Sequence, residues 1–123
     1  MKMEHKRYLT LEEYVNGLRE TELSERAIQK TIEHERAHFE KAIELGYSPV
    51  YALERFYTAG SNLATVMLNA VMFNGKEPSP EHIIHILLAP KVLSGGDLDD
   101  ALRLRRQINK SKNRKKWYKT ISH

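Results

Sequence analysis

The chain has 123 residues, a net charge of +4 and a hydrophobic content of 41%. This length suits one domain with its own core, and the absence of cysteine excludes a disulfide framework and a thiolate metal site. We therefore expect one domain over residues 1–123. The first residues lack the apolar core of a secretory signal, and we expect a cytoplasmic protein that is not in a membrane.

The charge is divided unevenly along the chain. Residues 1–100 hold all sixteen acidic residues and eleven Lys or Arg, a net charge of −5, whereas residues 101–123 hold nine Lys or Arg and no acid, a net charge of +9. A basic end of this kind is typical of a segment that contacts nucleic acid or an acidic protein surface.

Taken in order, the chain begins with a loose lead-in over residues 1–9. Thr10 and Glu13 form a capping box that starts a short helix. Ser24 starts a second helix, which Gly46 ends, and the short link after it predicts that this helix is antiparallel to the next element.

The central prediction is one long helix over Pro49–Asn74, with Ser48 as its cap and Gly75 as its stop. Apolar residues recur on one side at helical spacing. A polar stripe follows the other side, which we interpret as a dimer contact or the floor of a binding groove. The stripe consists of Tyr51, Arg55, Thr58, Asn62, Thr65 and Asn69.

Two further helices are predicted after this segment. Ser79 and Pro80 start a short, buried helix that Pro90 stops. Asp97 caps a last helix, and residues 110–123 form a basic tail that extends this helix or frays from it. No strand pattern is evident, so the sequence predicts an all-α fold.

His34 to His38 read H-E-R-A-H, which matches the H-E-x-x-H pattern in which two histidines share a zinc ion and the glutamate acts as base. Arg36 within the motif, the lack of an evident third ligand and the lack of a strand subdomain count against a zinc site. We therefore favour an exposed, charged helix flank and predict no cofactor. His82 and His85 are further imidazoles, with a packed or surface role as the default.

The basic end also carries aromatic residues, which can stack on unpaired bases while Lys and Arg meet phosphates. A solvated tail or a contact with an acidic protein surface is the alternative. The candidate residues for nucleic-acid or phosphate binding are Arg103, Arg105, Arg106, Asn109, Lys110, Lys115, Lys116, Trp117 and Tyr118.

The order of features over roughly residues 36–109 resembles the HEPN superfamily, the small helical domains found beside minimal nucleotidyltransferases. The matching segments are Ala37–Gly46, Ala52–Ala59, Phe73–Pro78 and Ala101–Asn109. The resemblance implies a four- to five-helix, up-and-down bundle and a homodimer. Members of the ribonuclease type carry a His a few positions after an Arg, but here Lys110 stands where the His would follow Arg105, and a protonated lysine is a poor general base.

The sequence therefore favours a non-catalytic, HEPN-like binding module. It would associate with RNA or a nucleotide, or partner a nucleotidyltransferase in a toxin–antitoxin-like pair. The alternatives are a metal-independent ribonuclease of HEPN type and a zinc hydrolase that uses His34, Glu35 and His38.

Overall fold

The computed structural model of the chain describes residues 2–91 and 95–121, with side chains as far as residue 111. Four helices and three strands make up this part of the chain, so the predicted all-α bundle is wrong and the fold is α+β. In chain order the elements are β1 (Lys2–Tyr8), α1 (Leu11–Arg19), α2 (Glu25–Glu44), β2 (Pro49–Tyr57), β3 (Thr65–Phe73), α3 (Pro80–Leu87) and α4 (Gly95–Ile121).

The predicted central helix is replaced by a β-hairpin made of β2 and β3. Both strands are rich in the β-branched and aromatic residues that suit a pleated surface, and the loop between them contains Gly60 with a φ of 81°. Ser61 closes that loop, because its hydroxyl donates to the carbonyl of Leu63 and accepts from the Leu63 amide. Turn chemistry at Gly60 and Ser61 therefore interrupts what the apolar spacing had suggested was one helix.

The sheet has the order β1-β2-β3, and both pairs are antiparallel. β1 occupies most of the predicted lead-in, which is therefore not loose. α2 leads into β2, so the expected antiparallel pair of long helices is also wrong. A β-bulge opposite Glu54 and Arg55 shifts the register of β3.

The helix starts agree with the capping signals. Thr10 caps α1, Ser24 caps α2 and Ser79 caps α3, each through a side-chain oxygen that accepts from a backbone amide three residues on. Gly46 has a φ of 91° and follows the end of α2. α4 begins at Gly95, so Asp97 lies in its first turn and not at its cap.

The core forms where α1 and α2 pack against β2. Tyr14, Leu18, Ile28, Tyr51 and Leu53 are its buried residues. The ring of Tyr51 stacks on Tyr14 and on Phe39, with centroid distances of 4.6 and 4.3 Å. Burial raises the pKa of the Tyr51 phenol to about 12, which is consistent with a ring held between α1, α2 and the sheet.

Buried Arg55 joins β1, β2 and α1. Its guanidinium contacts the carboxylates of Glu4 at 3.0 Å and Glu20 at 2.9 Å, and it donates to the carbonyl of Gly17 at 3.0 Å. Arg55 is 4% exposed, so removal of either carboxylate would leave a buried charge less well compensated. This cluster fixes the end of the sheet against α1.

We expect Gly17→Ala to destabilise the fold although alanine is the better helix former. A Cβ at residue 17 would lie 2.7 Å from Cζ of Tyr8, and overpacking of this kind typically costs about 1–3 kcal/mol. Urea denaturation measures the effect. Asn16→Ala, at an exposed position of the same helix, is the control and should be neutral or slightly stabilising; equal stability of the two variants would contradict the packing argument.

Glu4 should make stability depend on pH. Burial acts to raise the pKa of its carboxyl, but the hydrogen bond and the charge of Arg55 outweigh burial and the net shift is downward. A lowered folded-state pKa adds stability that is present above the ordinary glutamate value of 4.5, and this stability is lost as the pH falls through the folded pKa. Glu4→Gln should therefore have a lower Tm than wild type at pH 7, and the difference should shrink at acid pH. Thermal denaturation across pH tests this, with Glu22→Gln as an exposed control expected to show no such pH dependence.

Candidate metal centre

Two histidines lie one turn apart on α2 and point in the same direction. His34 and His38 are related by i, i+4, which places them on one face of the helix. Their rings meet edge to face with centroids 4.8 Å apart, and their Nε2 atoms are 3.2 Å apart. His34 is partly buried and His38 is 6% exposed, so the motif is not an entirely exposed flank.

Asp97 reaches the same point from the first turn of α4. Its Oδ2 atom lies 2.9 Å from Nε2 of His34 and 3.2 Å from Nε2 of His38. Two nitrogens and one carboxylate oxygen therefore converge, although Asp97 is 59 residues beyond His38. Among the residues with described side chains, this trio is the one group of three whose donor atoms are arranged closely enough to share a metal ion.

The separations within the trio suit a tetrahedral ion. Ligands at about 2.0–2.1 Å from zinc lie roughly 3.3–3.4 Å from one another, close to the 2.9–3.2 Å that separates the three donor atoms. A point about 2.0–2.1 Å from all three donors exists just outside their plane. Two imidazoles and one carboxylate also match the ligand set of catalytic zinc, which leaves a fourth position for water or substrate.

The other ring nitrogen of His38 determines which atom faces the trio. Nδ1 lies 2.6 Å from the carbonyl oxygen of Ile86 on α3, and a carbonyl can only accept, so Nδ1 carries the proton. In the neutral ring Nε2 then presents a lone pair to His34 and Asp97. A backbone carbonyl in this outer position is the usual way in which a protein orients a metal-binding histidine.

Glu35 lies between the two histidines in sequence and is buried at 7% exposure. Burial raises the pKa of its carboxyl; the charges of His38 and His34 act in the opposite direction, and Asp97 adds to the rise. Glu35 lines one cavity together with His38 and Asp97. A carboxylate thus stands beside the convergent donors, where H-E-x-x-H chemistry places its base.

That cavity has a volume of about 240 Å³ and a largely apolar lining. Apolar side chains come from β3 and α3, while Asn69 adds an amide whose Oδ1 accepts a hydrogen bond from Tyr14 at 2.8 Å. The lining residues are Glu35, His38, Asn69, Ala70, Val71, Phe73, Ile83, Ile86, Leu87 and Asp97.

Besides the third ligand, which Asp97 offers, two other features that counted against a zinc site differ from what the sequence suggested. Arg36 points away from the trio and pairs with Glu40 at 2.7 Å on the exposed side of α2. A three-stranded sheet is present beside α2. Exposure of Glu33, Arg36 and Glu40 agrees with the predicted charged flank, whereas burial of Glu35 and His38 does not.

His82 and His85 do not join the trio. Nδ1 of His82 lies 2.5 Å from the hydroxyl oxygen of Tyr47. His85 is exposed and borders a shallow cavity with Arg105 and Asn109. Both agree with the packed or surface role predicted for them.

The predicted polar stripe does not exist as a helical face. Tyr51 and Arg55 are buried in β2, Thr58 and Asn62 are exposed in the hairpin loop, and Thr65 begins β3. Asn69 alone among the six lines the cavity beside the histidines.

The candidate phosphate-binding residues with described side chains lie on α4. Arg103, Arg105, Arg106, Asn109 and Lys110 are all exposed, and Arg103 pairs with Asp100 at 2.9 Å. The side chains of Lys115, Lys116, Trp117 and Tyr118 lie outside the described ones.

No helix within the described residues combines the length and apolarity needed to cross a bilayer.

Comparison of the chain with protein-family models, with curated proteins and with solved structures found no match. The HEPN resemblance therefore stays a prediction, and the helical bundle that it implied is wrong.

We expect the protein to bind one equivalent of zinc through the trio. Asp97→Asn should lower zinc affinity at least about tenfold, since a change in even an outer partner of a metal site costs 10–100-fold. Competition with a chromophoric chelator, together with elemental analysis of dialysed protein, measures the affinity.

Asp99→Asn is the matched control for this experiment, because Asp99 is an exposed carboxylate two residues away on the same helix. It should bind zinc as wild type does, and circular dichroism should show both variants folded. If wild type binds no zinc, or if all three proteins bind it with equal affinity, the trio is a hydrogen-bonded cluster and not a metal site.

Proposed function

We propose that this protein is a zinc-dependent hydrolase that acts on a carbonyl compound, an amide or an ester. The observation that carries the proposal is the convergence of Nε2 of His34, Nε2 of His38 and Oδ2 of Asp97 within 3.2 Å of one another. The hydrogen bond from Nδ1 of His38 to the Ile86 carbonyl supports the proposal further, because it leaves the lone pair on Nε2 facing the other two donors.

The donor set supports a cation at this point. The two imidazoles offer one nitrogen each and Asp97 offers a carboxylate oxygen, and all three atoms converge in a partly buried setting. Nitrogen and carboxylate oxygen are both ligands that zinc accepts in proteins. The arrangement that competes with a bound ion has a proton on Nε2 of His34, which donates to His38 and Asp97. That arrangement leaves the lone pair on Nε2 of His38 at 3.2 Å from Oδ2 of Asp97.

The residues have separate roles in this proposal. His34, His38 and Asp97 would hold the ion, and a zinc ion bound there supplies Lewis acidity, which acidifies water and polarises a carbonyl. Glu35 would accept a proton from the attacking water and deliver it to the departing group. The apolar walls from Val71, Ile83 and Leu87 would limit water around the reacting atoms and so strengthen the electrostatic interactions.

The other functions predicted from the sequence stay predictions. They are a non-catalytic HEPN-like module, RNA or nucleotide binding by α4, a homodimer, a nucleotidyltransferase partner in a toxin–antitoxin-like pair, and a metal-independent ribonuclease. The cytoplasmic location also stays a prediction.

We expect Glu35→Gln to bind zinc as tightly as wild type but to lose hydrolysis, because the amide keeps the shape and cannot accept the proton. Loss of a general base typically lowers kcat by roughly 10²–10⁴-fold. p-Nitrophenyl acetate, an activated ester that needs no elongated groove, is the probe.

Glu33→Gln changes an exposed carboxylate on the same helix and should keep the wild-type rate. Chelator treatment should abolish hydrolysis, and readdition of zinc should restore it. Hydrolysis that survives chelation, or equal rates for the Glu35 and Glu33 variants, would refute the proposed mechanism.

A further inference from the structure

We infer that the substrate of this centre is an extended peptide segment, which pairs with the edge of β3 opposite β2 and places one apolar side chain in the adjoining cavity. The inference rests on the proposed hydrolase and specifies its substrate class.

The first observation is the position of β3 in the sheet. β3 pairs with β2 on one side and is an edge strand of the three-stranded order. Among the described residues, two other sets of main-chain hydrogen bonds occur next to the strand. Asn74 donates to Ser48, which prolongs the pairing with β2, and Ala64, just before the strand, exchanges hydrogen bonds with Glu20 and Glu22. An edge strand carries a row of unpaired N–H and C=O groups, which is a template for another extended chain.

The second observation is where the cavity lies on this strand. Successive side chains of a strand point to opposite faces of its sheet, and Asn69, Val71 and Phe73, which line the cavity, share one face. Ala70 also lines it, whereas no β2 residue does. The cavity therefore lies over the edge strand, and alternate side chains of a chain paired beside β3 would point toward it.

The third observation is what lies across the cavity from that edge. His38, Glu35 and Asp97 line the same space, so a chain paired along β3 would carry its carbonyl groups past the catalytic carboxylate and the trio. N–H and C=O groups that alternate along an edge are complementary to the backbone of a peptide, and β-strand addition uses this match for affinity while pockets for alternate side chains give specificity.

The size and lining of the cavity suit one side chain. A volume of about 240 Å³ lies below the roughly 300–1,000 Å³ of pockets that enclose a whole drug-sized ligand. Val71, Phe73, Ile83 and Leu87 make its wall apolar. We therefore expect a preference for a medium-sized aliphatic side chain beside the bond that is cleaved.

The reaction is a balanced hydrolysis that needs no oxidant or reductant. The oxygen of a water molecule bonds to the peptide carbonyl carbon, and the bond from that carbon to nitrogen breaks. Glu35 passes one proton of the water to the departing nitrogen and the second water proton follows it, so the products are a carboxylate and a protonated amine.

The test separates binding from cleavage by using zinc-loaded Glu35→Gln protein, labelled with nitrogen-15. A short alanine peptide with one central leucine is titrated while the amide resonances are followed. We expect shifts concentrated on residues 69–73. N-methylation of the peptide should weaken binding by more than about tenfold at alternate positions only, because alternate N–H groups of a strand face its partner.

Cavity variants provide the matched comparison. Ile83→Trp would fill the cavity and should abolish the peptide-induced shifts while leaving zinc binding intact. Leu88→Trp is the control, since Leu88 is 37% exposed and does not line the cavity; its shifts should match those of the Glu35→Gln parent.

The outcomes distinguish this inference from the proposed function. Zinc binding and ester hydrolysis without peptide-induced shifts at β3 would overturn the inference and leave the hydrolase intact, whereas absence of zinc would remove both. Equal effects of N-methylation at every position would also overturn it. Shifts on β3 that depend on protein concentration and not on peptide would identify the edge as a contact between two copies of the chain.

Discussion

The hydrogen bond from Nδ1 of His38 to the carbonyl of Ile86 is the interaction on which the proposed chemistry depends. It spans 2.6 Å between a buried imidazole on α2 and the backbone of α3. Because the acceptor can only be the carbonyl, the bond fixes both the orientation of the ring and the nitrogen that carries its proton. It also ties together the helix that bears the histidines and the helix that packs against α4. One contact therefore determines the ring geometry and the surroundings of the third donor.

α3 has a linking role that its length of 8 residues would not suggest. Its buried residues Ile84 and Ile86 face inward, its backbone accepts from His38, and it packs against α4 as well as α2. α4 carries Asp97 to the trio and buries Ala101. The carboxylate thus reaches the histidines because α3 holds α4 in place, and an ion shared by His34, His38 and Asp97 would bind α2 directly to α4.

The starts of α1, α2 and α3 could be predicted from sequence because their signals are local. Thr10, Ser24 and Ser79 each cap a helix through contacts within three residues. Residues 49–73 could not be assigned by the same reasoning. Apolar residues at i, i+3 and i+4 also occur by chance within two strands, and a turn at Gly60 and Ser61 is a weaker local signal than that spacing. An error over one segment changed the fold class, since that segment supplies two of the three strands.

The site shows the same division between local and long-range information. The spacing of His34 and His38 is local, so the pair was visible in the sequence, and Glu35 came with it. Asp97 was recognised only as a helix-start residue, because nothing within its neighbourhood relates it to a histidine 59 residues earlier. Its position beside the histidines follows from packing. This fold places the edge strand β3, the histidine face of α2 and the first turn of α4 around one cavity, whereas a helical bundle has no edge strand. The sheet, which the sequence did not reveal, therefore supplies one wall of the cavity and an edge strand beside the histidines.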